Sequence, residues 1–552
     1  MGTVSEAPRV GAGPHAGAYR PPAIGRTGVV AAAHVLAATA GLRMLFDGGT
    51  AVDAAVAVGA TLGVVEPFMS GIGGGGGFML IYEAATRKVH ALDYLGPAPA
   101  AADATAFSTI DDIDTDVRSA TVPSLLAGWL AAHEHFGRLE RSVLFQPAID
   151  LAEQGWPISR WAAGIFSTYA PRLRRHAGTA GGLLPGGEAP LDGAVLTQPD
   201  LARSYRHIAQ HGADALYYGD LGRRLAAAVR SAGGWLCGAE LAQYTPVWRE
   251  PLAVDYSGWR VHCPPPPSSG FQYLECLNML AASDLRSLGH NSADYLHVLL
   301  ETIKLASADR TCYASAEPGV IRALLSPEYA AQRSASIDPQ HAAPSEGERF
   351  VGSKHGQVAP GEPRGAEHTT YFEVADRWGN LVAVTQSNGA PFGSGFVAGD
   401  TGIVLNNFLY WTDLDPRSPN FLQGGQQQRD MPMAPCMVTR DGSLRLGIGT
   451  PGSYGILQTT LQMVLNSLTF DMHVQAAIEA PRVRAFEGTR VDVERRVDRA
   501  VVKALASRRH DVRVLDDWTW AVGSGHGIAV DAQHGVLSGG ADPRRDGAAV
   551  AF

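Results

Sequence analysis

The spacing of apolar residues near the amino terminus predicts two consecutive helices. Residues 31–47 (AAAHVLAATAGLRMLFD) fit one helix, which we expect to end at the glycine pair that follows, since glycine favours a helix C-cap. Thr50 then begins a second helix, with Asp53 three residues later as in a capping box. This helix runs through the apolar segment 54–65 and must end near Pro67. The segment is too short to cross a bilayer, which takes about 20 residues, so we interpret it as a buried core helix.

A glycine-rich stretch, 71–77, separates this helix from two runs that are typical of strands, 78–82 (FMLIY) and 88–94 (KVHALDY). In a dinucleotide-binding motif a strand precedes the glycines and a helix follows them, which is the reverse of the order in this chain. We therefore interpret the glycines as a place of close backbone packing. The middle of the chain, about 120–340, predicts helical segments joined by polar loops, with a marked turn at 264–270 (PPPPSSG).

A change of composition before residue 369 marks the segment to which we assign most of the chemistry. Residues 340–368 are polar, rich in glycine and proline, and without periodicity, so they predict an exposed loop of the kind where cleavage concentrates. The runs 369–375 (TTYFEVA) and 381–387 (LVAVTQS) predict a hairpin around the turn DRWGN. If the last residue of the first strand faces the first residue of the second, the same register puts Thr369 opposite Ser387.

A second strand-to-helix connection lies farther along the chain. Residues 444–448 (LRLGI) predict a strand, and residues 454–468 predict a helix that Ser453 would cap. The turn between them, GTPGS at 449–453, consists of small residues. Such a turn leaves backbone N–H groups free and directed outward.

Charge and cysteine usage exclude several classes of function. The net charge of −9 and the pI of about 6.1 disfavour a nucleic-acid partner, which needs a basic face, and give no support for a membrane partner. The five cysteines are scattered and odd in number, which argues against a disulfide framework or a zinc site and favours a reducing compartment. We therefore expect a cytoplasmic protein without a metal or a cofactor. Residues 1–25 lack a secretory signal and are interpreted as a flexible tail.

The predicted hairpin places residues that could perform nucleophilic catalysis. A threonine hydroxyl is a poor nucleophile unless a base takes its proton. Cleavage before Thr369 would turn its own α-amine, with a reference pKa of about 8, into that base. Ser387 would orient the hydroxyl, and the backbone N–H groups of Gly452 and Ser453 would stabilise an oxyanion. His368, at the cleavage site, is an alternative base.

Blocks in nearly the whole chain resemble the gamma-glutamyltranspeptidases. The matching blocks are AVDAAVAVGATLGVVEPFMSGIGGGGGFMLIY (51–82), VPSLLAGW (122–129), PPPPSSGF (264–271), TTYFEVADRWGNLVAV (369–384), FGSGFVAGDTGIVLNN (392–407), MAPCMV (433–438), GTPGS (449–453), APRVR (480–484) and GADPRRDG (540–547).

This resemblance implies an α/β (α+β) fold, the four-layer αββα sandwich of the N-terminal-nucleophile hydrolases. It implies self-cleavage into a large subunit, which after the tail covers 26–368, and a small subunit, 369–552, that form one intertwined unit. It also implies the same roles for Thr369, Ser387, Gly452 and Ser453 as the hairpin and the turn do. The expected assembly is a heterodimer of the two fragments, with further oligomerisation left open.

The sequence departs from the family where the family holds a glutamyl head group. Leu95 stands where an arginine of an LDxRxxAP motif would bind the α-carboxylate. Met431 and Pro432 replace a carboxylate-binding Ser-Ser pair, and Phe408 and Trp411 replace the glutamine and the aspartate that bind the amine. All five are therefore candidate substrate-binding residues of a different kind.

One further polar residue is displaced, because the asparagine expected two places after the supporting hydroxyl lies one place early, at Asn388. The losses affect recognition of a free amino acid head group and leave the nucleophile in place. We therefore predict an amidohydrolase or acyltransferase with an apolar or aromatic acyl pocket. Alternatively, another arginine, such as Arg364 or Arg429, compensates for the lost one.

The expected substrate is a small-molecule amide, or a gamma-glutamyl compound if the lost contacts are supplied from elsewhere. Ordinary glutathione hydrolysis or transpeptidation is the main rival function. A catalytically silent scaffold or binding protein is a rival of another class.

Overall fold

The computed structural model describes residues 18–344 and 368–552. The first 17 residues of the predicted tail and residues 345–367 of the predicted polar loop lie outside the described residues. Within the described part of the chain, no helix is both long enough and apolar enough to cross a membrane.

The strands and helices are numbered in chain order. The strands are β1 (Ala23–Gly25), β2 (Gly28–Ala32), β3 (Gly76–Glu83), β4 (Lys88–Asp93), β5 (Trp156–Pro157), β6 (Val195–Leu196), β7 (Val247–Arg249), β8 (Leu252–Tyr256), β9 (Trp259–Cys263), β10 (Thr370–Asp376), β11 (Leu381–Ser387), β12 (Cys436–Arg440), β13 (Ser443–Gly449), β14 (Val483–Ala485), β15 (Arg490–Glu494), β16 (Asp511–Leu515), β17 (His526–Asp531), β18 (Val536–Ala541) and β19 (Ala548–Ala551). The helices are α1 (Val35–Phe46), α2 (Ala51–Val65), α3 (Leu125–Phe136), α4 (Arg141–Gln154), α5 (Arg160–Leu173), α6 (Ala177–Leu183), α7 (Pro199–His211), α8 (Asp214–Tyr217), α9 (Asp220–Ser231), α10 (Gly238–Gln243), α11 (Phe271–Leu280), α12 (Leu285–Leu288), α13 (Ala293–Tyr313), α14 (Pro318–Leu324), α15 (Pro327–Ser334), α16 (Gly455–Leu468), α17 (Val474–Glu479) and α18 (Arg499–Ser507).

Two large antiparallel sheets form the centre of the molecule. Sheet I has the order β19-β2-β10-β11-β3-β4-β7, and sheet II has the order β1-β18-β17-β13-β12-β9-β8. Both sheets contain strands from before and after residue 368 as neighbours, for example β2 beside β10 and β9 beside β12.

Three apolar layers show how the sheets and helices are stacked. Residues of the two sheets that face each other, such as Leu80 of sheet I and Met437 of sheet II, form one layer. The other face of sheet I packs with α2 and its neighbouring helices, and the other face of sheet II packs with α11, α13 and α16. Helix, sheet, sheet and helix therefore follow one another, which confirms the predicted αββα sandwich.

The hairpin predicted around residue 378 has the predicted register. Thr370 pairs with Gln386, and Ala375 pairs with Leu381. Glycine at position 379, with a φ of 86°, occupies the turn between the strands. One step beyond the last pair of the ladder, Thr369 lies next to Ser387.

The first helix begins later than the sequence predicts. Residues 28–32 form β2, and α1 begins only at Val35. Every residue of β2 is buried, because one face of the strand contacts sheet II and the other contacts the helices. An alanine-rich strand buried on both faces has no alternation, so its pattern resembles that of a helix.

The beginning of the second helix is confirmed, with Thr50 and Asp53 forming a capping box. The prediction of a flexible tail up to residue 25 is wrong at its carboxyl end, because Ala23–Gly25 pair with β18. The middle of the chain is largely helical, as predicted, but it also contains strands β5 to β9.

Candidate active site

Two hydroxyl groups meet at the main-chain carbonyl that precedes Thr369. The Thr369 Oγ1 donates to the carbonyl oxygen of His368 at 2.8 Å, and the Ser387 Oγ donates to the same oxygen at 2.9 Å. The two hydroxyl oxygens are 3.4 Å apart. The backbone N–H of Gly389 donates to Ser387 Oγ at 2.9 Å, which holds the serine in place. In the uncut chain, the threonine therefore lies beside the peptide group that it would attack.

Strand alternation explains why these hydroxyls share one face. In β10 and β11, Tyr371 and Ala383 point into the layer between the sheets, whereas Phe372 points to the helices. Thr369 and Ser387 are an even number of positions from the residues that face the other sheet, so they share that face. Both are nearly buried, with 5% and 3% of their surfaces exposed.

The turn from β13 to α16 reaches the same end of the sandwich. A Cβ at Gly447 would meet the Glu373 carboxylate, and a Cβ at Gly449 would meet the Tyr371 ring. The two strands thus cross so that residues after 449 advance toward Thr369. The turn predicted to stabilise an oxyanion therefore lies at the same end of the sheets as Thr369.

The backbone of this turn is set up to donate. Gly452 has a φ of 134° and Ser453 a φ of 55°. Among the described residues, neither N–H group has a hydrogen-bond acceptor. The prediction that Ser453 caps the helix is wrong, since α16 starts at Gly455, its cap position is Tyr454, and that position makes no side-chain capping bond. The left-handed conformation of Ser453 turns the chain before the helix begins.

Four of the predicted substrate-binding residues come together in the fold. Leu95, Phe408 and Met431 are almost fully buried and form an apolar cluster with Phe78 and Met433, against which Trp411 packs.

A glycine-rich loop connects this apolar cluster to the hydroxyl pair. The N–H of Gly75 donates to the carbonyl oxygen of Ser387 at 3.2 Å, and a Cβ at Gly75 would lie 2.4 Å from the Phe408 ring. The backbone of Gly75 therefore lies between the apolar cluster and Ser387. Only glycine permits this close approach, as the sequence predicted for this stretch.

A polar cavity lies beside Trp411. Its lining includes Arg310, Asp430 and Tyr454, which follows the oxyanion turn directly. Arg310 is ion-paired with Asp430 and lies over the Tyr454 ring, 4.0 Å from its centre. The sequence did not single out this pair, because nothing in its spacing links residue 310 to residue 430.

The remaining predicted residues differ in their burial and in their hydrogen-bond partners. Pro432 is buried and lies between Met431 and Met433 in the chain. Asn388 uses its side-chain amide on the carbonyl oxygen of Pro67 at 3.1 Å, a bond that ties two loops together. Of the alternative arginines, Arg364 lies outside the described residues, and Arg429 is exposed.

His368 is a buried, neutral ring at the junction. Burial, and then the charges of Arg545 and Arg172, hold the pKa of His368 well below its usual value. Its Nε2 lies 3.3 Å from the Tyr169 hydroxyl. Its contact with the nucleophile runs through the main-chain carbonyl oxygen, which is the acceptor for both hydroxyls.

Two buried charged residues near the junction were missed in the sequence. Arg545 Nη1 donates to the carbonyl oxygen of Thr369 at 3.2 Å. On the opposite face of β10, the Thr370 hydroxyl donates to Glu66 at 3.2 Å. Burial raises the pKa of Glu66 to about 7, although Arg545 lowers it. Each lies far from residue 369 in the chain, so only the fold shows that they contact Thr369 and its neighbour Thr370.

One group of side chains has the composition of a metal site. One ligand atom from each of His297, Glu301 and His510 lies within 4.8 Å of the others. However, the Lys304 ammonium is 2.6 Å from the Glu301 carboxylate. The charge that would attract a cation is therefore already balanced by the protein.

Comparison with known proteins adds four findings. A family model described as gamma-glutamyltranspeptidase matches residues 37–552. The acylase ACY 1 proenzyme of Pseudomonas sp. (strain SE83) is 36% identical over 96% of this chain and 94% of its own length. The glutathione hydrolase proenzyme of Bacillus subtilis (strain 168) is 33% identical over 97% of this chain and 95% of its own length. The crystal structure of cephalosporin acylase from Bacillus halodurans superimposes with a TM-score of 0.87 at 30% identity, covering 100% of this chain and 99% of that one.

Proposed function

The chain belongs to the gamma-glutamyltranspeptidase family and is an enzyme of that family, and on that premise we propose that it is an acylase that cuts itself before Thr369. The mature enzyme then cleaves amides through an acyl group carried on the Thr369 hydroxyl. The observation that carries this proposal is the meeting of the Thr369 and Ser387 hydroxyls at the carbonyl of His368.

The self-cleavage step follows from that geometry. The Thr369 Oγ1 attacks the carbonyl carbon of His368, and the charge that develops on the carbonyl oxygen is stabilised by the Ser387 hydroxyl. The C–N bond breaks, the proton of the Thr369 hydroxyl passes to the Thr369 nitrogen, and the acyl group of His368 remains as an ester on Oγ1. Water hydrolyses this ester and leaves a new carboxylate on His368 and a free α-amine on Thr369.

The same residues then serve turnover. The α-amine of Thr369 takes the proton of its own hydroxyl as the oxygen attacks the substrate amide. The amide nitrogen leaves with that proton, and an acyl ester forms on the threonine. The N–H groups of Gly452 and Ser453 stabilise the oxyanion. Water, or an amine acceptor, then removes the acyl group.

The apolar cluster supports an acyl group of little charge. Leu95, Phe408 and Met431 offer no donor to a carboxylate and no negative charge to an ammonium. A zwitterionic head group buried against them would lose its hydration without gaining partners, which costs several kcal/mol by order of magnitude. The names of two relatives, an acylase proenzyme and a cephalosporin acylase, agree with this choice.

Gamma-glutamyl turnover is the second candidate. It is favoured by the similarity to a glutathione hydrolase proenzyme, at nearly the same identity as the acylase. The cavity beside Trp411 also holds a buried cation, Arg310, although Asp430 neutralises it.

Self-cleavage is tested by mass analysis of the purified protein. We expect two fragments, 1–368 and 369–552, without added protease. Thr369→Ala should remain one chain and should lack amidase activity. Thr370→Ser is the matched control, because it keeps a hydroxyl for Glu66 and leaves the nucleophile intact, so it should mature normally. A Thr369→Ala protein that still matures and turns over substrate would show that another residue is the nucleophile, and an uncut wild type without activity would favour a scaffold.

Substrate choice is tested with anilides that share one leaving group. We expect kcat/KM for a neutral aromatic acyl anilide to exceed that for the gamma-glutamyl anilide by about tenfold or more, since each 1.4 kcal/mol is a factor of ten. A preference for the gamma-glutamyl compound would refute the apolar pocket while leaving the Thr369 mechanism intact.

A further inference from the structure

A buried cation touches the main chain of the residue that the proposed function makes the catalyst. The guanidinium of Arg545 donates to the carbonyl oxygen of Thr369 at 3.2 Å. It lies between the rings of Trp161 and Trp520, 5.5 and 5.4 Å from their centres. Arg545 is only 3% exposed. The contact is thus shielded from water. A charge acts more strongly on its neighbours in such a place than in water.

The turn that carries Arg545 is fixed independently of the contact. The adjacent Arg544 is ion-paired with Asp542 at 3.0 Å and with Glu494 at 2.7 Å, and all three are buried. A second buried arginine, Arg482, also contacts Asp542 at 2.8 Å. These pairs hold the backbone on which the guanidinium of Arg545 is presented.

The guanidinium remains charged at neutral pH. Burial lowers the pKa of Arg545 to about 10, and the carboxylates of Glu66 and Asp542 act in the opposite direction. The carbonyl oxygen that it contacts and the α-nitrogen of Thr369 belong to the same residue. A fixed positive charge therefore lies close to the atom that becomes the catalytic amine.

We propose, as an extension of the proposed function, that Arg545 is a positioning residue that holds the first residue of the mature small subunit and keeps its α-amine in the unprotonated, basic form. A second positive charge beside the guanidinium is unfavourable, so the ammonium form of the amine is disfavoured. More of the enzyme then carries a free base at neutral pH than an ordinary α-amine would supply.

Other ionisable groups lie around the junction. They are Glu66, Tyr169, Arg172, His368, Asp542 and Asp546, together with the carboxylate that the proposed cleavage leaves on His368. A carboxylate near the amine favours its ammonium form and opposes Arg545. Arg172 is paired with Asp114, and Asp542 is held by two arginines. Asp546 accepts a hydrogen bond from Ser159. Glu66 is the acid that the strand itself contacts, and its ionised form would favour the ammonium and oppose Arg545.

The pH dependence of kcat/KM on a neutral amide tests this assignment. In Arg545→Gln, we expect the acid limb of the profile to move up by about one pH unit, which is about a tenfold loss at pH 7 with recovery at alkaline pH. Arg545→Lys keeps the charge and should keep the limb. Glu66→Gln removes the opposing charge and should move the limb to lower pH. A loss that is equal at all pH values would overturn the proposal, since a purely structural role predicts that result.

A direct measurement covers the case in which Arg545→Gln does not mature. The pKa of the Thr369 α-amine in the wild type is read from the pH dependence of its acetylation, followed on the first peptide of the small subunit. We expect a value below the reference of about 8, and a value at or above it would overturn the inference. A wild type that is not cut before Thr369 would remove the proposed function as well, whereas a cut enzyme with an ordinary amine would remove only this inference.

Discussion

At the residue scale, the Ser387 hydroxyl occupies a position where it can serve two reactions. It donates to the carbonyl of His368 in the uncut chain, and it lies 3.4 Å from the hydroxyl of Thr369. Under the proposed mechanism, the first contact would polarise the peptide bond before Thr369, and the second would orient the Thr369 hydroxyl. A change at Ser387 should therefore affect maturation and turnover together.

We predict that Ser387→Ala matures and turns over about ten- to a hundredfold more slowly, which corresponds to a loss of about 1.4 to 2.7 kcal/mol in the transition state. Ser387→Thr, which keeps the hydroxyl, should be close to wild type. Both rates are followed by mass analysis of the fragments and by amide hydrolysis. Normal maturation and activity in Ser387→Ala would remove this residue from the site.

The sequence predicted only the part of the site that local pairing determines. Thr369 and Ser387 could be placed together because a hairpin with a short turn fixes its own register. Arg545, Glu66 and Arg310 could not, since each reaches the site through contacts between segments far apart in the chain. The prediction that Ser453 caps a helix failed because its left-handed conformation depends on the packing of the turn.

At the element scale, β10 carries an acid into the layer between the two sheets. Glu373 is fully buried and shares a hydrogen bond with Tyr371. Burial raises the pKa of Glu373 well above its usual value, although the bond with Tyr371 acts in the opposite direction. The folded protein thus keeps a proton that the unfolded chain releases above about pH 4.3. Stability should therefore fall as the pH rises from that value toward the raised pKa.

We predict that Glu373→Gln is more stable than its parent at pH 8 and similar to it near pH 4. Urea denaturation of the Thr369→Ala single chain measures this without interference from cleavage. Asp53→Asn is a control of opposite sign. Burial raises the pKa of Asp53, but hydrogen bonds from His133 and from backbone N–H groups outweigh it, so the pKa is lowered. This control should lose stability above about pH 4, and a stability of Glu373→Gln that tracks its parent at every pH would contradict the assignment.

The elements themselves were predictable where a local signal specifies them. The capping box of Thr50 and Asp53 fixed the start of α2, and the short turn between two strand-like runs fixed the hairpin of β10 and β11. The strand β2 was missed because its valines and alanines are buried on both faces, and burial by both a sheet and helices removes the period of two.

At the scale of the whole molecule, the two predicted fragments are interleaved and do not form separate domains. Strands β10, β11 and β19 of the later segment lie among β2, β3, β4 and β7 of the earlier one, and sheet II is mixed in the same way. Each fragment therefore supplies hydrogen-bond partners to strands of the other.

We predict that the cleaved fragments co-elute as one heterodimer in size-exclusion chromatography without denaturant. They should separate only in urea or guanidinium, because separation exposes the edges of strands that were paired inside both sheets. The uncut Thr369→Ala chain is the control and should elute at a similar volume. Separation of the fragments in ordinary buffer would show that the contacts across the junction are weaker than the pairing implies.

Interleaved strands also change the kinetic order of refolding. The uncut chain can refold as a single molecule, whereas an enzyme cleaved before Thr369, once unfolded, would become two molecules that must associate and pair their strands. We expect the recovered activity of wild type after dilution from urea to depend on protein concentration, and the recovered structure of Thr369→Ala to be independent of it. The time for which the cleaved enzyme stays active is then set by its rate of unfolding. Once unfolded, its two fragments are no longer joined by the peptide bond that held them together during the first folding.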